Sequence, residues 1–357
     1  MNERLSPWAK LGRAGIIAVA AALLGGQVAL ASGIGWAQHN RQAISDRATA
    51  WQFEPDATIE DIVARAGLSR TGELYLYASL PEVVPAFEFD KFCSRREPGI
   101  GVLGCYRIQE QRIYLFDVTD ARLRSIVPVV AAHEMLHAAW FRFDPSRHEE
   151  LGALLEADFA TLPDDHRLRD RIAQYEANDP NSRIPELYAI LGTEIAPLSP
   201  DLEEHFATYF DDRTKVVGLA NEIYRLFDTF SLELERFVAE LEERSDVIDQ
   251  RRAAYEDASA KFQSDLATYN DRVARYNAGE NVSGAANFPR ERESLVSRQT
   301  TLREERAAIQ ALIDEYNALY GQLQVLNAEL SELNEGINIT TVAPQETIEP
   351  DTTEAAE

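Results

Sequence analysis

The chain has 357 residues, with 60 Asp plus Glu against 35 Lys plus Arg and a formal net charge of −25. An acidic exterior repels phosphate backbones, so nucleic-acid binding is disfavoured. The length leaves room for one domain of average size and an extended addition. The first element in chain order is apolar. Residues 14–38 carry no charge, and Arg4, Lys10 and Arg13 precede them against a single Glu3. This pattern predicts a transmembrane signal anchor over 14–36, with a basic cytoplasmic stub at 1–13 and the rest of the chain extracytoplasmic. Ala29-Leu-Ala31 also resembles a signal-peptidase site, so secretion after cleavage near Ala31 is the competing expectation.

Residues 37–57 are polar and read as a linker. Thr58 to Ala66 reads as a short helix, and Glu73-Leu-Tyr-Leu-Tyr-Ala78 as a strand with Leu74 and Leu76 on one face. Cys93 and Cys105 flank a Gly/Pro loop, at a spacing that fits neither a redox pair nor a zinc knuckle. In an oxidising compartment they predict a disulfide contributing about 3 kcal/mol by loop entropy, with two buried free thiols as the alternative. A hairpin-like pair around Cys105 and Ile113 follows, its second run the β-rich Arg112-Ile-Tyr-Leu-Phe-Asp-Val118.

His133-Glu-Met-Leu-His137 comes next and carries the most chemistry. On a helix, residues four apart project from one face, so both imidazoles can reach one Zn²⁺ at roughly 2.0–2.1 Å. Glu134, beside the first ligand, can take a proton from water activated by the metal. Val129 to Ala132 before the motif, and Ala138, Ala139 and Trp140 after it, supply the apolar surroundings of a buried helix. Pro128 requires that this helix begin near Ser125 or kink there. A third ligand is needed. The next histidine, His148, sits in a Glu-rich helical stretch, whereas Ser182 to Glu194 reads as an apolar helix with Pro185 in its first turn and two carboxylates, Glu186 and Glu194.

With His133, Glu134 and His137 on one helix and Glu186 on a later one, the chain resembles the gluzincin metallopeptidases, the thermolysin-like class, over roughly residues 110–215. In that class the ligand Glu is commonly followed three residues on by a small residue, as by Ala189 here. Four residues on it commonly has an Asp, where this chain has Ile190. That Asp supports a ligand histidine, so its role passes to another group or is absent. The resemblance implies an α+β zincin-like domain at 58–216, a small sheet plus active-site helices. It implies Zn²⁺ on His133, His137 and Glu186, with Glu194 as the alternative third ligand. It also implies that the strand just before the motif helix forms the edge against which an extended peptide docks.

Peptide hydrolysis needs a donor aimed at the developing oxyanion. Asp201 to Arg213 reads as a third helix carrying His205, Tyr209 and Arg213 on one stripe, with Tyr209 and His205 the candidate pair and Tyr188 a further one. The competing reading buries Phe206 and Phe210 and turns that stripe to water. Beyond Arg213, apolar residues recur at spacings of three, four or seven, from Ile223 to Ile248, from Tyr255 to Tyr276 and from Leu302 to Ile337. They predict an antiparallel coiled-coil hairpin over 217–337 with its loop at 277–290, its helices roughly 90 and 70 Å long. Residues 338–357 read as a disordered acidic tail.

The leading expectation is thus a membrane-anchored zinc metallopeptidase acting outside the cytoplasmic membrane on a peptide or protein, with a protein partner on the coiled coil. Its rival is a non-catalytic envelope scaffold that works through the hairpin and keeps a structural or degenerate zinc domain. A structural site has no need of a carboxylate beside its ligand, so Glu134 favours the enzyme. A zinc hydrolase of non-peptide amides is a third reading.

Overall fold

Helix dominates the computed structural model, which describes Gln27, residues 35–93 and residues 103–337. Among the described residues, the helices that precede the long pair are α1 (Arg41–Gln52), α2 (Ala57–Ala66), α3 (Arg70–Ala78), α4 (Ala86–Phe92), α5 (Ile126–Phe141), α6 (Pro145–Ala160), α7 (Arg167–Asn178), α8 (Arg183–Glu194) and α9 (Pro200–Phe206). The sheet, among the same residues, has three short strands, β1 (Glu82–Val84), β2 (Gly104–Arg107) and β3 (Arg112–Phe116). The expected α+β zincin-like fold is therefore corrected to a mostly helical one with a small sheet.

The chief local correction is at residues 73–78, expected as a strand and found inside α3. Ser69 caps this helix, its hydroxyl accepting from the Thr71 and Gly72 amides at 3.1 and 3.2 Å while donating to the Thr208 carbonyl at 2.6 Å. Capping, with Leu76 fully buried, outweighs the β-propensity of the Tyr/Leu alternation. Residues 41–52, read as linker, form α1, whose Asp46 pairs with Arg142 at 2.7 Å. Alanines and the absence of Gly and Pro make that stretch helix-competent despite its polarity.

Among the described residues no helix is long and apolar enough to cross a membrane. The expected single-pass anchor, and the extracytoplasmic location derived from it, are corrected on that finding. The span 14–36 lies, apart from Gln27, Gly35 and Trp36, outside the described residues, as do Ala29-Leu-Ala31 and the tail 338–357.

Strand order is β1-β3-β2, with β1 parallel and β2 antiparallel to β3. The strand expected at the edge, Arg112 to Phe116, is thus the central one, and β2 is an edge. A disulfide joins Cys105 on β2 to Cys93, just past α4, with Cα atoms 5.8 Å apart. Both β2 and β3 pack against α5. That helix is apolar on nearly every side, with Val129, Ala131, Ala132, Met135, Leu136, Ala138 and Ala139 all buried, as a helix covered by both a sheet and other helices must be. Pro128 does not kink it. Ser125 is the N-cap, so the proline falls in the first turn, where no intrahelical amide bond is lost.

The chain divides into two units. The first holds the described residues up to Ile223 together with Glu335 to Ile337, and the second runs from Tyr224 to Asn334. Most of α10 (Arg213–Asn277) and of α11 (Phe288–Gly336) belongs to the second unit, where the two run antiparallel through a short turn. Arg244–Glu315, Arg251–Glu305 and Arg272–Glu291 bridge them, and Phe237, Leu241, Leu319 and Leu326 form a core. The apolar pattern lapses near Arg251, but the helix does not: the guanidinium binds Glu305 through two bonds of 2.8 Å. The first unit reaches further along the sequence than 216. Val217, Ala220 and Ile223 are buried in it, and Ile337 returns to it at 1% exposure.

Candidate metal centre

Helices α5 and α8 pack face to face, and this contact brings three distant side chains together. His133 and His137 project from α5 one turn apart, with Nε2 atoms 3.0 Å from each other. Glu186, in the first turn of α8, faces both: Oε2 is 3.5 Å from His133 Nε2 and Oε1 is 3.4 Å from His137 Nε2. Donors about 2.1 Å from one tetrahedral ion stand about 3.4 Å apart, so this triangle has the dimensions of a metal face. Among the described residues it is the one group of three or more His, Cys, Asp or Glu side chains so placed. Glu186 Oε2 is buried without a hydrogen-bond partner, a state that costs free energy unless a cation completes it. Burial opposes ionisation of Glu186, yet His137 and His133 outweigh it and hold its carboxyl well below the usual carboxylate range. All three side chains keep some exposure, between 12 and 17%.

Close helix packing makes the triangle possible. An added Cβ at Gly192 would stand 2.5 Å from Leu136 Cδ1 and 2.6 Å from the Phe206 ring. No larger residue lets α8 approach α5 and α9 so closely. Ile190, at the position where the gluzincin pattern carries Asp, is fully buried in the core. Arg213 anchors the far end of α8, donating to the carbonyls of Leu191 at 3.2 Å and Ile195 at 2.7 Å and pairing with Glu203. A cation there satisfies terminal carbonyls and complements the helix dipole.

Glu194, the alternative ligand, is not in the triangle. Its two oxygens accept from Arg171 at 3.0 and 2.9 Å. His148 is likewise elsewhere, stacked on Trp140 and bonded to that residue's carbonyl. Glu134 lies beside the triangle, 7% exposed. Burial pushes its carboxyl up, His133 and His137 pull it down, and the Tyr106 amide on β2 donates to it.

The expected third helix does not run from Asp201 to Arg213. It ends at Phe206 as α9, Tyr209 lies past its end, and Arg213 opens α10, so the three-residue stripe is broken. The turn between them exists because the Tyr209 carbonyl accepts from the Ser69 amide and the Asp211 amide donates to Gly67. Tyr188, His205 and Tyr209 instead form a buried chain. Arg147, which can only donate, lies 2.8 Å from His205 Nδ1. That nitrogen must therefore accept, leaving Nε2–H to donate to the Tyr188 hydroxyl at 2.9 Å. Tyr188 and Tyr209 bond in turn to each other. Burial first, then Arg147, lowers His205 to about 4, and burial raises Tyr209 to about 12. Both groups are neutral near pH 7, and their partners here are one another, Arg147 and the aromatic rings around Trp140. Sequence reading found the triangle but missed Arg147 and the Tyr106 amide, because neither carries a motif.

The chain matches no protein-family model, no curated protein and no solved structure. The gluzincin resemblance therefore rests on the motif residues alone.

Proposed function

We propose that the first unit is a zinc-dependent peptidase. The observation that carries this reading is the His133–His137–Glu186 triangle with the buried, unpartnered Glu186 oxygen beside Glu134. Two imidazoles and one carboxylate are the donor set of a catalytic zinc site, which keeps a fourth position open. Zinc held there supplies Lewis acidity, polarising a scissile carbonyl and making water nucleophilic near neutral pH.

The chain's own groups do the remaining work. His133, His137 and Glu186 would hold the ion. Glu134 accepts the proton of the attacking water and returns it to the departing amine, a task suited to a carboxyl whose pKa burial has raised. Edge strand β2 runs past Glu134 and bounds one side of the site. Tyr209 and His205 hold the position of α8 rather than touch the carbonyl, since their hydrogen bonds run to Tyr188 and Arg147.

Elemental analysis of the purified protein tests the metal: about one Zn²⁺ per chain is expected, and a folded protein without zinc refutes the reading. Glu134→Gln should retain that zinc and lose peptide turnover, because an amide keeps the shape but accepts no proton. Equal turnover by variant and wild type would favour a binding or scaffolding role for the chain.

A further inference from the structure

Edge strand β2 touches the active-site helix at one residue above all. A Cβ added at Gly104 would fall 2.5 Å from Val130 Cγ1, 2.9 Å from Glu134 Cγ and 3.2 Å from Glu134 Oε1. The backbone at Gly104 is in the ordinary extended region, so what excludes a side chain there is this approach. Leu103 accepts from the Phe116 amide at 2.8 Å, which fixes the alternation along β2. Positions 103, 105 and 107 therefore turn their backbone groups to β3, while Gly104 and Tyr106 turn theirs outward. The outward Tyr106 amide is the one that donates to the Glu134 carboxylate. The Cys93–Cys105 disulfide and the bond from Arg142 to the Tyr106 hydroxyl hold the strand to the rest of the unit.

We propose that β2 is a clamp on the general base: Gly104 admits the Glu134 side chain against the strand, and the Tyr106 amide fixes the direction of its carboxylate. Gly104 is then a positioning residue for the reaction. A carboxylate on a flexible stem samples several rotamers, and proton transfer needs one of them. Contact on one side and an amide donor at the tip select it. This rests on the peptidase reading for its catalytic consequence, but the clamp itself does not.

Two measurements on the full chain test it. Amide hydrogen exchange should find Tyr106 protected in wild type and faster by about tenfold or more in Glu134→Ala, with Cys105, which faces β3, unchanged as an internal control. Gly104→Ala should keep its full zinc content and lower kcat by about 10–100-fold with little change in KM, as expected for a displaced proton acceptor. Because the new methyl also meets Val130, the pair Gly104→Ala with Val130→Ala separates the two contacts. It removes the nearest clash and leaves the one with Glu134, so kcat should remain low. The double variant also carries the test if Gly104→Ala alone does not fold. Unchanged Tyr106 exchange in Glu134→Ala, or wild-type kcat in the zinc-loaded double variant, overturns the clamp. If the wild type holds zinc and cleaves no peptide, the peptidase reading falls while the exchange result still decides the clamp.

Discussion

Glu186 and Glu194 lie on the same helix about two turns apart, and their environments give them different duties. Glu186 meets two imidazoles, whereas Glu194 meets a guanidinium. Glu186→Ala should therefore strip most of the zinc. Glu194→Ala should leave zinc in place and lower stability by on the order of 1–2 kcal/mol through loss of the Arg171 bonds. Metal content and a denaturation curve on each variant check this, and the reverse pattern would move the ligand to Glu194. His205 makes a pH prediction. Its folded value of about 4 lies below the ordinary value of 6.5, so the unfolded chain takes up the proton first. The contribution is complete above about pH 6.5 and is lost as the pH falls toward 4. His205→Gln should flatten the fall of the denaturant midpoint over that window, and an unchanged pH slope would contradict it. Arg147 at Nδ1 and Glu150 nearby are the charged groups that set this balance.

At the scale of elements, the site depends on how closely α8 lies on α5. Gly192 sets that distance, since Leu136 and Phe206 occupy the space a side chain would need. Gly192→Val should destabilise by about 1–3 kcal/mol through overpacking, although valine is the better helix former. It should also weaken zinc retention, because Glu186 rides on the displaced helix. A variant as stable as wild type, with full metal, would show that α8 can retreat without opening the triangle. Leu202 and Phe206 on α9 and the Arg213 cap limit such a retreat.

At the scale of the whole molecule, the two units have separate interiors but share the chain at two places. Among the described residues, those up to Ile223 and from Glu335 to Ile337 belong with the His133–His137–Glu186 triangle. Excising 224–334 and joining Ile223 to Glu335 with a flexible linker should leave a folded, zinc-binding unit. Deleting 219–336 should be more damaging, because it also removes Ala220 and Ile223 from the interior and Gly336 from beside Asp120 and Leu123. Thermal unfolding with zinc analysis distinguishes the two truncations, and equal stability would place the boundary earlier in the chain.

Local patterns made several parts readable. His133 and His137 share a helical face by spacing alone, the loop between Cys93 and Cys105 is short enough to close, and the heptads after Ile223 run over helices with a breaker between them. These features are set by backbone periodicity, which the sequence carries directly. Other features came from contacts between segments far apart in the chain. Residues 73–78 became helix because Ser69 caps them and Leu76 is buried. The Asp201–Arg213 stretch broke because its backbone pairs with Ser69 and Gly67. Residues 112–116 became the central strand because β1 and β2 flank them. Choosing Glu186 over Glu194, and placing the Tyr106 amide on Glu134, required the packing of α8 and β2 on α5. Such choices follow from burial and hydrogen-bond satisfaction across the tertiary structure, where a strong local preference gives way to a better-packed interior.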